Sequence, residues 1–261
     1  MPMTHETRSG GLPPPPALAA DAALFLDLDG TLLDFALRPQ DVVVAAGLRE
    51  ALQRLHVRLG GALALVSGRP LADIDRLSGL PQLAAAGLHG AQVRTPAGVV
   101  EQAPPPAAGL DPVRAHLRGF AERWPGVLVE DKHDALALHY RAAPHAQAAV
   151  EAIAADLLRI AGSGFALQHG NRVVELRPAG SDKGTAVVRL LGEPPFAGRL
   201  PWMIGDDLTD EHAFRRVNAL GGRSVIVGPR RPSAARHALA GPDAVRAWLA
   251  EAASAPGPAT G

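Results

Sequence analysis

The chain has 261 residues, 26 Lys plus Arg against 26 Asp plus Glu, and a formal net charge of zero, a balance that gives no long-range field for nucleic acid or an anionic membrane. The absence of cysteine excludes disulfides, zinc–thiolate sites, iron–sulfur clusters and thiol catalysis. Six Phe, three Trp and one Tyr are too few for a base-stacking platform, and no stretch approaches the roughly 20 apolar residues needed to cross a bilayer.

The first segment, MPMTHETRSGGLPPPP, has neither the apolar stretch nor the basic cluster of a secretory signal. Residues 1–20 read as a disordered polar, Pro-rich tail, and a cytoplasmic location is expected. The apolar run ALFLDL at 23–28 ends in carboxylates and Gly30, the pattern of a buried strand entering a loop. A helix is expected over 41–59, with Val44, Leu48, Leu52, Leu55 and Leu59 on one face. ALALV at 62–66 is a second buried strand that stops at Ser67-Gly68-Arg69, and Pro70 can open the next helix. A third strand falls near 83–87. Continuous rather than alternating apolar strands predict a Rossmann-like parallel sheet covered on both faces, the core of an α/β protein.

The rhythm changes after the Pro-rich stretch at 103–108. Val113, Leu117, Phe120 and Trp124 mark a helix over 111–124. Strands at 127–130 and 135–141 flank a turn at 131–134. A helix over 145–161 and a hairpin over 165–176, turning at Gly170-Asn171, complete the segment. This order of helix, hairpin, helix, hairpin predicts an inserted α/β lobe. The first rhythm returns with a helix at 182–191, a strand at 201–204, a helix from Thr209, a strand at 223–227 and a helix at 242–250. The expected division is therefore a core of 21–104 and 181–253, an insert of 105–180, and a disordered C-terminal tail of 254–261. Arg230-Arg231, between Pro229 and Pro232, reads as a solvated loop, and Trp202 and Trp248 read as core.

Asp27 and Asp29 stand where the first strand stops, and Asp206, Asp207 and Asp210 where a later one stops. Ligands of open parallel sheets bind beyond the carboxyl ends of the strands. Gathering carboxylates there is unfavourable without a cation, and oxygen ligands with no Cys or His favour Mg²⁺. Thr31 and Ser67 are hydroxyl donors, Gly30 and Gly68 let backbone N–H groups come close, and Lys183 supplies a positive charge, so the pocket suits a phosphate. Each piece alone is commonplace: such an Asp is usually a turn former or helix cap, and such a Lys is usually solvated. The order DLDGT, SGR, DKG, GDDLTDE, each at a strand end or a helix start, is what points to phosphate chemistry.

These four segments resemble the signature motifs of the haloacid dehalogenase superfamily of phosphatases, and more closely the trehalose-6-phosphate phosphatase family. In the insert, Glu130-Asp131-Lys132, His139-Tyr140-Arg141 and Glu175-Leu176-Arg177-Pro178 resemble that family's cap segments, as does Gly87-Leu88-His89-Gly90 in the core. His133 stands where the family pattern has glycine. The resemblance implies hydrolysis of a sugar phosphate, trehalose 6-phosphate, supplied by a trehalose-6-phosphate synthase. It implies Asp27 as nucleophile, Asp29 as acid and then base, and Lys183 as the charge that stabilises the transferring group. Gly30, Thr31, Ser67, Gly68 and Lys183 would hold the phosphate. Asp27, the Asp29 carbonyl and Asp206 would bind Mg²⁺, with Asp207 and Asp210 orienting from behind. Arg69, His89, Glu130, Lys132, His139, Arg141 and Glu175 would meet the sugar, although His139 and Arg141 could instead brace the insert. From the residues alone, another sugar phosphatase, a phosphotransferase and a non-catalytic phosphoacceptor module stay open.

Overall fold

The computed structural model describes residues 11–35, 41–102, 110–117, 119–132 and 134–255. The strands β1 (Ala22–Leu26), β2 (Leu63–Val66) and β3 (Ala84–Gly87) are buried along their whole length, as their unbroken apolar sequences require. Two further strands, β4 (Gln92–Arg94) and β5 (Val100–Gln102), extend this side of the sheet in antiparallel fashion. Neither is legible in sequence, because three residues of mixed polarity show no period. The helices α1 (Leu48–Arg58) and α2 (Leu71–Ser78) connect the first strands.

The smaller lobe begins with α3 (Asp111–Leu117) and α4 (Phe120–Arg123). Next come β6 (Leu128–Asp131), β7 (Leu136–His139), α5 (Gln147–Ala161), β8 (Phe165–Gly170) and β9 (Val173–Pro178). These strands form an antiparallel sheet in the order β6-β7-β9-β8. Its core includes Val113, Phe120, Leu138, Val150, Leu157 and Val174. The chain then returns to the large sheet through α6 (Lys183–Leu191), β10 (Leu200–Gly205), α7 (Asp210–Ala219), β11 (Arg223–Val227), β12 (His237–Leu239) and α8 (Pro242–Ser254). The large sheet has the order β12-β11-β10-β1-β2-β3-β4-β5. Helix α1 packs on α8, and α6 packs on α7. Trp202 is buried in this core and stacks on Trp248 with ring centroids 5.6 Å apart.

Several expectations need correction. The helix expected over 41–59 starts only at Leu48, because Gly47 takes the left-handed conformation (φ 79°) and ends the preceding loop. Val42 and Val44 still pack against the core, so their apolar spacing was real but not helical. The helix expected over 111–124 is broken by Gly119 at φ 75°. The second hairpin turns at residues 171–172, with Arg172 at φ 57°, one residue later than expected. The last helix runs four residues beyond its expected end. Residues 11–20, read as part of a disordered tail, dock on the large sheet. Leu18 is buried, and the Pro13 carbonyl accepts from Ala238 N at 2.9 Å. Residues 103–108, His133 and 256–261 lie outside the described residues.

Candidate active site

Parallel register brings the two acidic segments together. Leu26 lies opposite Ile204 across β1 and β10, so both chains leave the sheet at the same level. Asp27 N donates to the Ile204 carbonyl at 3.0 Å, which continues the ladder by one residue. On the other flank, Leu26 faces Leu65 of β2, and Ser67 follows one residue beyond that strand. Lys183 is the first residue of α6, whose N-terminus is fixed by reciprocal hydrogen bonds between Asp182 and Thr185.

Lys183 Nζ donates to Asp27 Oδ1 at 2.6 Å and to Asp210 Oδ1 at 2.7 Å, with all three groups buried. Thr31 Oγ1 donates to Asp27 Oδ2 at 3.1 Å. The other oxygen of Asp210 accepts from Asp206 N and Asp207 N, both at 3.0 Å, and so shapes the loop after β10. Burial, partly offset by Lys183 and reinforced by Asp210, pushes the Asp27 carboxyl up to about 7. Burial and the neighbouring Asp27 and Asp210 push Asp206 up to about 10. Burial works against the Lys183 ammonium, yet Asp210 and Asp27 hold it above the ordinary lysine range.

Among the described residues, Asp27, Asp206 and Asp210 form a group whose ligand oxygens lie within 4.8 Å of one another. Two buried carboxyls that resist ionisation, beside an all-oxygen donor set, fit a hard divalent cation. Gly30, at φ 82°, passes so close to Asp206 that a Cβ there would collide with its carboxylate.

Asp29 is held by Arg69 through two bonds of 2.7 Å, from Nε and Nη2. Arg69, expected at the sugar, lines the cleft and bonds the neighbouring carboxylate. Ser67 Oγ accepts from Arg69 N at 3.2 Å, and Gly68 leaves room for the His89 ring, which a Cβ would strike. His89 itself has φ 54°.

The smaller lobe closes over these groups. Lys132 Nζ donates to Glu175 Oε2 at 2.9 Å and, across the lobes, to the Gly68 carbonyl at 3.0 Å. His89 Nε2 lies 3.4 Å from the same Glu175 oxygen. Burial opposes ionisation of Glu175, yet Lys132 and His89 hold it well below the usual carboxylate range. Glu130 accepts from His139 at 2.7 Å. Arg141 donates to the Asn171 carbonyl at 3.2 Å and lies over the Phe35 ring at 4.3 Å. His139 and Arg141 thus make bracing contacts within and beside the lobe. Asp207 crosses to the second hairpin, accepting from Asn171 N at 2.9 Å.

The cleft between the lobes holds Asp27, Asp29, Ser67, Gly68, Arg69, His89, Glu130, Lys132, His139, Arg141, Glu175, Lys183, Asp206 and Asp207. It is also lined by Phe35, Val42, Gln168, Gly170, Asn171, Val173 and Thr209, none of which the sequence marked as a site residue. Gly170 and Asn171 carried a turn signal, but nothing in sequence said that the turn meets Asp207. Arg230, read as solvated, instead donates to the carbonyls of Asp206 at 3.1 Å and Asp207 at 3.2 Å and pairs with Glu211. It braces the acidic loop from behind.

The two-lobed α/β fold is that of phosphatases of the haloacid dehalogenase superfamily. The C-terminal domain of Candida albicans trehalose-6-phosphate phosphatase superposes with a TM-score of 0.79 at 23% identity, over 89% of this chain and 92% of that one. The chain belongs to the trehalose-phosphatase family, whose sequence profile matches residues 25–242. A probable trehalose-phosphate phosphatase of Sinorhizobium fredii is 49% identical over 211 residues, covering 81% of this chain and 79% of that protein. The trehalose-6-phosphate phosphatase of Escherichia coli K12 is 40% identical over 234 residues, covering 90% and 87%. The chain is accordingly a phosphoric monoester hydrolase.

Proposed function

We propose that the chain hydrolyses trehalose 6-phosphate to trehalose and inorganic phosphate through a phosphate carried on Asp27. The observation that supports this most directly is the Asp27 carboxylate, bonded to Lys183 and Thr31 beside Asp206 in a cleft roofed by polar residues of the second lobe. Relatives named for this substrate, at 40% and 49% identity, supply the sugar.

Asp27 attacks phosphorus as the bond to the sugar oxygen breaks, and the departing oxygen takes a proton from Asp29. Water then attacks the acyl phosphate, giving its proton back to Asp29 and freeing inorganic phosphate. In its pair with Arg69, the Asp29 carboxylate only accepts hydrogen bonds. Its acid role therefore requires Arg69 to turn to another anion, and the substrate phosphate is such an anion. Lys183 stabilises charge on the transferring group. Ser67, Thr31 and the backbone at Gly30 and Gly68 hold phosphate oxygens.

Mg²⁺ fits the acidic group, held by Asp27, Asp206 and the Asp29 carbonyl, and when bound it neutralises the charge that would otherwise repel a phosphate dianion. Asp210, with its oxygens bonded to Lys183 and two backbone N–H groups, orients rather than coordinates. Asp207 does the same through Leu208 N and Asn171 N. The smaller lobe acts as a cap that hinges at the linker near residues 178–180, with Glu130, Lys132 and Glu175 reaching the sugar. A trehalose-6-phosphate synthase would supply the substrate.

The test is phosphate release from trehalose 6-phosphate, sucrose 6-phosphate and glucose 6-phosphate, each with Mg²⁺ and with EDTA. Trehalose 6-phosphate with Mg²⁺ should be turned over far faster than the others, and Asp27→Asn should fold but lose that activity by several orders of magnitude. A preference for another sugar phosphate overturns the substrate, and near wild-type rates in the variant overturn the nucleophile.

A further inference from the structure

The antiparallel pairing of the smaller lobe creates a row that crosses all four strands. Glu130 of β6 lies opposite Ala137 of β7, Ala137 opposite Glu175 of β9, and Glu175 opposite Gln168 of β8. Residues directly opposite one another project from the same face of a sheet. Glu130, Glu175 and Gln168 all line the cleft, so Gln168 stands at the end of a polar row that already faces the substrate.

The amide of Gln168 has a defined orientation. Arg177 Nε donates to Gln168 Oε1 at 2.5 Å. A guanidinium can only donate, so the atom it meets must be the oxygen, and the NH₂ group occupies the other position. Arg177 is itself fixed by the carbonyls of Pro178 and Ser181. The Gln168 Nε2 so placed is buried and makes no hydrogen bond to protein. On the partner residue across the strands, Glu175 Oε1 is also buried and unbonded, while Oε2 takes Lys132. An oriented donor and an oriented acceptor thus stand on adjacent strands, both desolvated, on two residues that line the cleft. Leaving such groups unpaired is unfavourable, and a pair of neighbouring hydroxyls satisfies both: one donates to Glu175 Oε1 and the other accepts from Gln168 Nε2.

We infer that Gln168, oriented by Arg177, is a specificity-determining residue that binds a sugar diol jointly with Glu175. This rests on the reading of the cleft as a sugar-phosphate site. It adds Gln168 to the residues that select the sugar and makes Arg177 a positioning residue.

The experiment compares wild type with Gln168→Met, which keeps length but removes the donor, and Gln168→Glu, which keeps an acceptor for Arg177. Steady-state kinetics are measured on trehalose 6-phosphate and on a small aryl phosphate, with melting temperature as the control for folding. Both variants should lose roughly tenfold more kcat/KM on the sugar phosphate than on the aryl ester, the effect of one missing hydrogen bond to a desolvated partner. Most of that loss should appear in KM. A trehalose 6-phosphate analogue lacking the bound hydroxyl should be disfavoured by wild type and not by Gln168→Met. Equal losses on both esters, or a change below about twofold in either folded variant, overturn the assignment. If wild type prefers another sugar phosphate, the substrate reading fails while the Gln168 comparison is run on that ester. If wild type cleaves no sugar phosphate, both fail.

Discussion

Replacing Lys183 by Met removes a cation that binds both Asp27 and Asp210 in the buried acidic group. Lys183 is 3% exposed, and its two bonds are 2.6 and 2.7 Å long. Removing one partner of a buried ion pair typically costs about 3–5 kcal/mol, because the remaining charge is left uncompensated. The lower end applies here, since Asp27 is already pushed up to about 7 and takes up a proton once Lys183 is gone. About 3 kcal/mol corresponds to a melting temperature lower by roughly 6–12 °C in a chain of this size. The deficit should shrink on acidification, because a carboxyl whose folded pKa lies above its unfolded value stabilises the fold as pH falls. Adding Asp210→Asn should recover part of the loss: the amide carbonyl still accepts from the loop N–H groups and no second charge remains. Thermal unfolding in EDTA reads the stability, and phosphate release with Mg²⁺ should show kcat reduced by roughly 10²-fold or more. A melting temperature unchanged at pH 8, or no recovery in the double variant, would refute the view that Lys183 neutralises this pair.

The metal-free protein should lose stability as pH rises from about 4 towards the raised values of Asp27 and Asp206, because the folded state keeps protons that the unfolded chain releases. Mg²⁺ should therefore raise the melting temperature more at about pH 8 than at about pH 6, as it replaces those protons; a flat or reversed dependence refutes the ion site. Lys132→Met removes one of two partners of Glu175 and the link to Gly68. It should reduce kcat/KM on trehalose 6-phosphate by roughly tenfold more than on an aryl phosphate, and equal losses would point to a general defect. Arg230→Ala frees the carbonyls of Asp206 and Asp207 and leaves Glu211 buried without its cation. Mg²⁺ affinity measured by calorimetry should weaken by roughly 10–100-fold, and an unchanged affinity would show that the loop holds its shape without Arg230.

The acidic site was legible in sequence because a parallel sheet obeys a simple rule. AALFL and LPWMIG are apolar enough to be central strands, so the carboxylates that follow them fall at one edge of the sheet. The pairings among site residues were not legible. Nothing in the spacing of Asp29 and Arg69, forty positions apart, says that they bond to each other rather than to ligands. The same holds for Arg230, where a Pro-flanked basic pair gives no hint of the carbonyls it meets. The three-residue strands β4, β5 and β12 lacked the length over which a period can be recognised.

The sequence alone determined which segments carry chemistry and in what order, because apolar runs, helix faces and turn residues are local properties of the chain. Only the tertiary structure decided which of those polar groups are bonded and which are buried unpaired. In the smaller lobe β7 pairs with β9 rather than with β8, its next strand in sequence. That non-local pairing brings Glu175 into one row with Glu130 through Ala137, and each atom's hydrogen-bond partner depends on strand register and on the approach of the two lobes.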